Sequence, residues 1–230
     1  MERPTETDPE PAALPPALRS WLGPVAVLAA TAATVLGIRY AGHSRPGAVD
    51  ARIWAAAQGV GQPWRFVADA TDFLGEPAGS VLLVAATVTG CLLLRRPRAA
   101  VLVVVGTGVS VGATKLLKPL VGRTIHGGHF SYPSGHTAFL TAFALVTALL
   151  VTGRLGLGRT AGTALVLAVA SAAGALMGWA QVALDAHYPT DVLGGLCTAL
   201  AVVPAVAWLV DRTADRFADR SADTGRRQHR

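Results

Sequence analysis

This 230-residue sequence contains little cysteine and little lysine, and its charged residues are not evenly distributed. Its two cysteines, Cys91 and Cys197, both lie inside apolar runs and have no C-x-x-C spacing or neighbouring histidine. This excludes a disulfide framework and a zinc-finger type of metal site. Charged residues make up only 15% of the chain and are clustered between long uncharged runs. Because a soluble domain spreads charge over its surface, whereas a membrane protein confines it to loops and tails, the pattern indicates a membrane protein.

The net charge of +6 is the one feature that could suggest nucleic acid. The basic cytoplasmic loops expected of a membrane protein account for that charge. We therefore expect no nucleic-acid partner. The composition, rich in alanine, valine, glycine and arginine, is typical of a high-GC bacterium.

Six apolar runs approach the length of about 20 residues that a helix needs to cross a bilayer. They cover residues 21–38, 77–94, 99–117, 137–152, 160–180 and 192–210. A signal peptide is the competing interpretation of the first run, but the preceding tail is acidic and has no basic segment, which favours a retained span. The sequence thus predicts an all-α polytopic membrane protein, a bundle of six transmembrane helices. We expect a disordered cytoplasmic tail over 1–20, a six-span domain over 21–211, and a charged cytoplasmic tail over 212–230 that continues as a solvated helix.

Between the first two spans, segment 42–76 mixes charged residues with tryptophan and phenylalanine. This is typical of one or two short amphipathic helices at the outer membrane surface. Within the spans, Gly108-x-x-x-Gly112 and Gly174-x-x-x-Gly178 predict faces for close helix packing. An even number of spans places both termini on one side, together with the basic connections at 95–98 and 153–159. The positive-inside rule assigns that side to the cytoplasm, in the plasma membrane.

The unusual polar residues converge on the outward face of this topology. The chain's only lysines, Lys115 and Lys118, lie one helical turn apart near the outer end of the third span. His136 begins the fourth span, and His187 and Asp191 follow the fifth. Each has an inert explanation, since interfacial lysines extend toward the headgroups and a His–Asp pair at a helix start can be structural. Their convergence at one depth favours a functional site.

Such a set supports phosphoryl transfer. Cations and backbone N–H groups at a helix start hold a tetrahedral anion. A histidine held by a carboxylate is a competent nucleophile or base, and a second histidine can protonate a leaving alkoxide. The acids of segment 42–76 are too scattered to indicate a Mg²⁺ site, so we expect a mechanism with no metal and no cofactor.

These residues resemble the type-2 phosphatidic acid phosphatase (PAP2) family, the membrane relatives of vanadium haloperoxidases. Its motifs are K-x6-R-P, P-S-G-H and S-R-x5-H-x3-D; the second is complete here over 133–136, and the third in its latter half. The resemblance implies that His187 attacks phosphorus and forms a phosphohistidine, that Asp191 orients it, and that His136 protonates the leaving oxygen. It also implies that phosphate oxygens are held by Lys118, Ser134 and the N–H groups around Gly135, although Ser134 has a second interpretation as a simple helix cap.

Two positions depart from these motifs. Ile125-His126 stands where the family has Arg-Pro, and Ala180-Gln181 stands where it has Ser-Arg. Arg123, two positions before the expected arginine, is predicted to bind phosphate instead, with Lys115, His126 and Gln181 as auxiliary candidates. Loss of a charge-assisted clamp lowers a rate by orders of magnitude unless it is compensated.

We therefore expect an integral membrane lipid phosphatase whose active site faces outward. Its substrate would be a lipid phosphomonoester or diphosphate, and polyprenyl diphosphate, phosphatidic acid and phosphatidylglycerol phosphate all fit. Two alternatives stay open: a catalytically weak relative that binds anionic lipid, and a phosphotransferase that passes the phosphoryl group to an acceptor other than water. A transporter is disfavoured, because the polar groups cluster at one face rather than at the midplane.

Overall fold

A computed structural model describes residues 11–57, 59 and 61–228, with side chains as far as residue 220. In this part of the chain, one turn of 3-10 helix, Pro16–Leu18, leads into eight α-helices. They are α1 (Arg19–Arg39), α2 (Ala48–Ala57), α3 (Trp64–Phe73), α4 (Pro77–Leu93), α5 (Pro97–Val121), α6 (Gly135–Leu155), α7 (Arg159–Ala183) and α8 (Pro189–Gln228). A two-stranded antiparallel hairpin, β1 (Thr124–Ile125) and β2 (His129–Phe130), connects α5 to α6. The predicted all-α fold is confirmed.

Five helices are long and apolar enough to cross a membrane: α1 with its preceding turn, α5, α6, α7 and the first part of α8. The predicted span at 77–94 is α4, which is shorter and joins α3 at an angle of 63°. This bent pair qualifies as the sixth crossing when it is taken as one unit. The predicted multi-pass membrane protein is thereby confirmed.

Helix α6 forms the centre of the bundle and contacts α5, α7 and α8, while α1 lies along α8. Its side chains Leu145, Val146 and Leu149 are fully buried and pack against Leu102 and Val103 of α5. Large apolar side chains also remain exposed on the outside of the bundle, as expected where lipid is the solvent. The helices are thus held together mainly by close packing of interior side chains.

Segment 42–76 forms two short helices, α2 and α3, as the sequence predicts. They pack against α7 and α8 rather than lying free of the bundle, and α3 buries Ala68 and Thr71. Trp64 and Trp179 meet edge to face, with their ring centroids 6.4 Å apart. The segment therefore forms one wall of the bundle at the end where α5 stops and α6 begins.

The prediction of a disordered tail over 1–20 is wrong for residues 11–20, while residues 1–10 lie outside the described part. Leu14 and Leu18 are buried in the core. The backbone N–H groups of Ala13 and Leu14 donate to the buried carboxylate of Asp211 at 2.7 and 3.0 Å. The apolar residues between the prolines cover the end of the bundle, and α8 continues past Asp211 to Gln228 without a break.

The two glycine patterns differ in the structure. A Cβ atom on Gly174 or Gly178 would lie 2.7 or 2.2 Å from side chains of α8, so the prediction of close packing holds for α7. On Gly108 or Gly112, a Cβ atom would meet no described atom within 4 Å. The packing prediction for α5 is therefore wrong within this chain.

This difference gives a matched test of the bundle. Gly178→Ala forces Val192 to move, and we expect a loss of about 1–3 kcal/mol of stability from overpacking. Gly108→Ala adds a methyl group to an open helix face, so stability should be unchanged or rise by up to about 1 kcal/mol. Thermal unfolding of both variants in the same detergent measures the difference. Equal melting temperatures would contradict the α7–α8 contact.

Candidate active site

A cavity of about 600 Å³ opens beside the α3–α4 bend, against α5 and the start of α6. The two lysines and both histidines singled out from the sequence line it. Its ionisable and amide lining consists of Asp72, Glu76, Lys115, Lys118, His136, Gln181 and His187. The fold thus brings residues from four helices and two connecting segments to a single site.

The P-S-G-H motif forms the turn that starts α6. Ser134 is the N-cap: its hydroxyl accepts from the backbone N–H of Thr137 at 3.4 Å and from the Thr137 hydroxyl at 3.1 Å. Gly135 is the first helical residue and lines the cavity, so the positive end of the helix faces it. Ser134 is fully buried and does not line the cavity, which favours the capping role over the predicted phosphate contact.

His187 lies in the short loop between α7 and α8 and lines the cavity while being mostly buried. Its Nδ1 atom is 3.8 Å from Oδ2 of Asp191, longer than a hydrogen bond, and that oxygen accepts from the backbone N–H of Tyr188 at 3.1 Å. Burial lowers the pKa of His187, an effect that Asp191 opposes and that Lys118 and His136 add to. Burial thus favours the neutral imidazole, which is the form required of a nucleophile.

Lys115 and Lys118 lie on the cavity side of α5, one turn apart as predicted. The ammonium group of Lys118 donates to the carbonyl oxygen of Phe130 in the hairpin at 3.1 Å. That contact holds the side chain near the N-terminus of α6. Two positive charges and the helix terminus thus face the same volume, an arrangement suited to an anion.

Arg123 has a different place from the one predicted. Its guanidinium is fully buried, donating to Asp191 Oδ1 and Asp50 Oδ2, each at 2.6 Å, and to the Thr190 hydroxyl. Tyr40 and Tyr188 cover its two sides, with ring centroids 4.2 and 4.6 Å away. It does not line the cavity, so the structure places Arg123 away from the position predicted for phosphate binding and pairs it with Asp191 and Asp50 instead.

Of the remaining auxiliary candidates, Gln181 lines the cavity and His126 does not. The amide of Gln181 is buried and donates to the carboxylate of Asp72. His126 is half exposed in the hairpin, and its Nε2 atom lies 3.0 Å from the carboxylate of Asp185. The expectation that His126 contributes to the site is therefore not supported by its position.

The expectation of scattered acids in segment 42–76 is wrong for one pair. Asp72 and Glu76 lie one turn apart at the α3–α4 bend, with carboxylate oxygens 3.7 and 3.5 Å from Nε2 of His136. The close approach needs a glycine, since a Cβ on Gly75 would lie 2.3 Å from the His136 ring. These three side chains offer ligand atoms within 4.8 Å of one another, so they have the geometry to hold a cation or to pair with a protonated His136.

Sequence reasoning missed Asp50, Asp72 and Glu76. The i, i+4 spacing of Asp72 and Glu76 around Leu-Gly was the available signal, but it becomes informative only once α3 is known to pack against α7. Asp50 had no comparable signal, because its partners Arg123 and Thr190 lie far away along the chain.

Fold and site together define a helical membrane protein with a histidine- and lysine-lined cavity at one end of the bundle. The family model of the PAP2 superfamily matches residues 99–215, and the chain belongs to that superfamily. Among solved structures, it is similar to a transmembrane PAP2-type phosphatidylglycerolphosphate phosphatase from Bacillus subtilis. The TM-score is 0.62 at 23% identity, over 85% of this chain and 96% of that one. No curated protein sequence matches the chain significantly.

The buried position of Arg123 predicts that its removal acts on stability. Arg123→Ala leaves two buried carboxylates without their partner, and we expect a loss of about 3–5 kcal/mol. Lys115→Ala, the matched removal of an exposed cation, should cost less than about 0.5 kcal/mol. Thermal unfolding in detergent checks both. Normal melting of Arg123→Ala combined with weaker binding of orthovanadate, a phosphate analogue, would return Arg123 to the phosphate site.

Proposed function

We propose that this protein is a metal-independent lipid phosphatase acting through a phosphohistidine at His187. One observation carries the proposal. A neutral, buried His187 and a carboxylate-paired His136 line the same cavity as two lysines and the N-terminus of α6. This set supplies a nucleophile, a proton donor and an anion site, which are the groups that phosphoester hydrolysis needs.

In the proposed reaction, the free nitrogen of His187 forms the N–P bond while the P–O bond to the lipid breaks. His136 gives its proton to the departing oxygen, and the adjacent carboxylates of Asp72 and Glu76 offset its charge beforehand. Asp191 stabilises the positive charge that develops on the phosphorylated ring. Water then attacks phosphorus, neutral His136 takes its proton, and phosphate leaves with His187 restored.

Phosphate binding falls to Lys118, Lys115 and the N–H groups at the start of α6. This set differs from the expected one by omitting Ser134 and Arg123. Gln181 stands where the family motif has arginine, and its amide is turned toward Asp72 rather than left for the phosphate. The lysines therefore supply the side-chain cations of the site among the cavity-lining residues described.

A lipid substrate is supported by a second groove that continues the cavity. This groove, of about 370 Å³, runs between α4 and α5 and is lined by Val84, Ala85, Val88 and Val104. It shares Ser80, Val81 and Phe139 with the polar cavity, so one ligand has room for a phosphate in the cavity and a hydrocarbon tail in the groove. The Bacillus neighbour makes phosphatidylglycerol phosphate a natural member of any substrate panel. The positive-inside pattern supports an outward-facing site in the plasma membrane.

One observation favours the alternative of a weakly active, lipid-binding relative. Gln181 provides no charge where the motif has arginine, and the acids Asp72 and Glu76 lie in the same cavity. Their negative charge opposes phosphate binding unless His136 is protonated. Measuring turnover distinguishes the phosphatase from the lipid-binding relative.

The first test is phosphate release in detergent from polyprenyl diphosphates, phosphatidic acid and phosphatidylglycerol phosphate, with excess EDTA. We expect release to survive EDTA and to fall by more than about 1,000-fold in His187→Ala, because the nucleophile is lost. Binding of lipid without any release above that variant would favour the lipid-binding alternative. Loss of activity in EDTA with recovery on adding Mg²⁺ or Mn²⁺ would contradict metal independence and make Asp72, Glu76 and His136 the candidate ligands.

The proton-donor role of His136 predicts a dependence on the leaving group. His136→Ala should lose about 10²–10⁴-fold in kcat with an alkyl phosphate, whose oxygen needs a proton to depart. With p-nitrophenyl phosphate, which leaves as a stable anion, the loss should be within about tenfold. His187→Ala serves as the control, because it should impair both substrates equally. Equal losses for both substrates in His136→Ala would contradict the role.

A further inference from the structure

Asp50 lies outside the cavity lining but forms a dense set of contacts behind it. Its carboxylate is fully buried, although it belongs to the short helix α2. One oxygen accepts from Arg123 at 2.6 Å, from the Thr190 hydroxyl at 2.9 Å and from the Gly47 N–H at 3.2 Å. The other accepts from the Thr190 N–H at 2.9 Å. A buried carboxylate is costly unless it is paired and hydrogen-bonded, and these four contacts supply that pairing.

The charges around Arg123 are unequal in number. One guanidinium is held between two carboxylates, and all three groups are fully buried. Two negative charges against one positive charge leave a net negative charge at this cluster. Asp191 is the member of the cluster that lies next to His187. Without Asp50, the positive charge of Arg123 would offset the negative charge of Asp191 alone.

We propose that Asp50 is a positioning residue for the nucleophile: it offsets the charge of Arg123, so that Asp191 keeps its negative charge for His187, and it anchors the loop that carries His187. The inference rests on the proposed function, in which His187 attacks phosphorus. It assigns a role to Asp50 of α2, which lies outside all three sequence motifs.

The groups that act on His187 give the sign of the effect. Asp191 favours the protonated imidazole, whereas burial and the positive charges of Lys118 and His136 disfavour it. Removing the charge of Asp50 leaves Arg123 to offset Asp191 alone. The pKa of His187 should then fall further below its ordinary value, and the ring becomes a weaker nucleophile.

The experiment follows the titration of His187 by NMR in the full-length protein, labelled with ¹⁵N-histidine and held in detergent micelles. The resonance is assigned by its absence in His187→Gln. We expect Asp50→Asn to lower the pKa of His187 by about one unit relative to wild type. The control is Asp69→Asn on the exposed side of α3, which should leave the titration unchanged. An unshifted titration in folded Asp50→Asn would overturn the inference.

A charge-compensated variant separates electrostatics from packing. Asp50→Asn combined with Arg123→Gln removes one negative and one positive charge, so Asp191 keeps its charge and the titration of His187 should return close to wild type. A merely structural role for Asp50 predicts instead that the double variant is at least as perturbed as the single one. If Asp50→Asn alone does not fold, the double variant still tests the inference. A pKa of His187 lowered by about one unit in the double variant would overturn it.

The kinetic counterpart is a fall in kcat of about tenfold in Asp50→Asn with KM nearly unchanged, because Asp50 does not touch the cavity. The readouts keep the two proposals apart. If wild type shows no His187-dependent phosphate release, the proposed function fails while the titration still tests the link from Asp50 to His187. If release is normal and the titration does not move, the inference on Asp50 fails alone.

Discussion

A network of buried ion pairs stabilises the end of the bundle that contains the cavity. Arg123 follows α5, Asp50 comes from α2, and Asp191 lies in the first turn of α8, so three distant elements meet at one guanidinium. Such a group is tolerated only when each partner is paired and hydrogen-bonded. The two tyrosine rings that cover Arg123 keep water away and strengthen the electrostatic contacts. The position of Asp191 depends on this network, and the environment of His187 depends on Asp191.

The network also explains how an apolar bundle positions polar chemistry. The backbone N–H of Ser134 donates to the carbonyl oxygen of Asp191 at 2.9 Å, which ties the start of α6 to the start of α8. His136 follows Ser134 by two residues, and His187 precedes Asp191 by four. Their relative placement is therefore fixed by backbone geometry and by helix packing.

Much of this architecture could be predicted from the sequence. The apolar runs located the spans within a few residues, because the bilayer demands long uncharged helices. The P-S-G-H turn predicted the start of α6, since serine caps and glycine permits close approach of the chain. The burial of Ala13, Leu14 and Leu18 is not predictable from the sequence, because the neighbouring prolines hide any helical period and the anchor, Asp211, lies at the other end of the chain. The buried place of Arg123 is not predictable from its position two residues before the expected motif arginine, because that position does not show which side of the loop the side chain takes.

The distribution of charge within the cavity orients the proposed substrate. The two lysines lie on α5 and the helix terminus belongs to α6, while Asp72 and Glu76 lie at the α3–α4 bend, beside His136. A phosphate is drawn toward Lys118 and thus toward His187. The leaving oxygen then faces His136, which is the residue that the two acids pair with. The apolar groove runs between α4 and α5 and shares Ser80, Val81 and Phe139 with the cavity, so the tail of the proposed substrate extends from the cavity along these two helices. In the proposed complex the acids pair with the proton donor His136 and do not contact the phosphate. The phosphate is held by the lysines and by the start of α6.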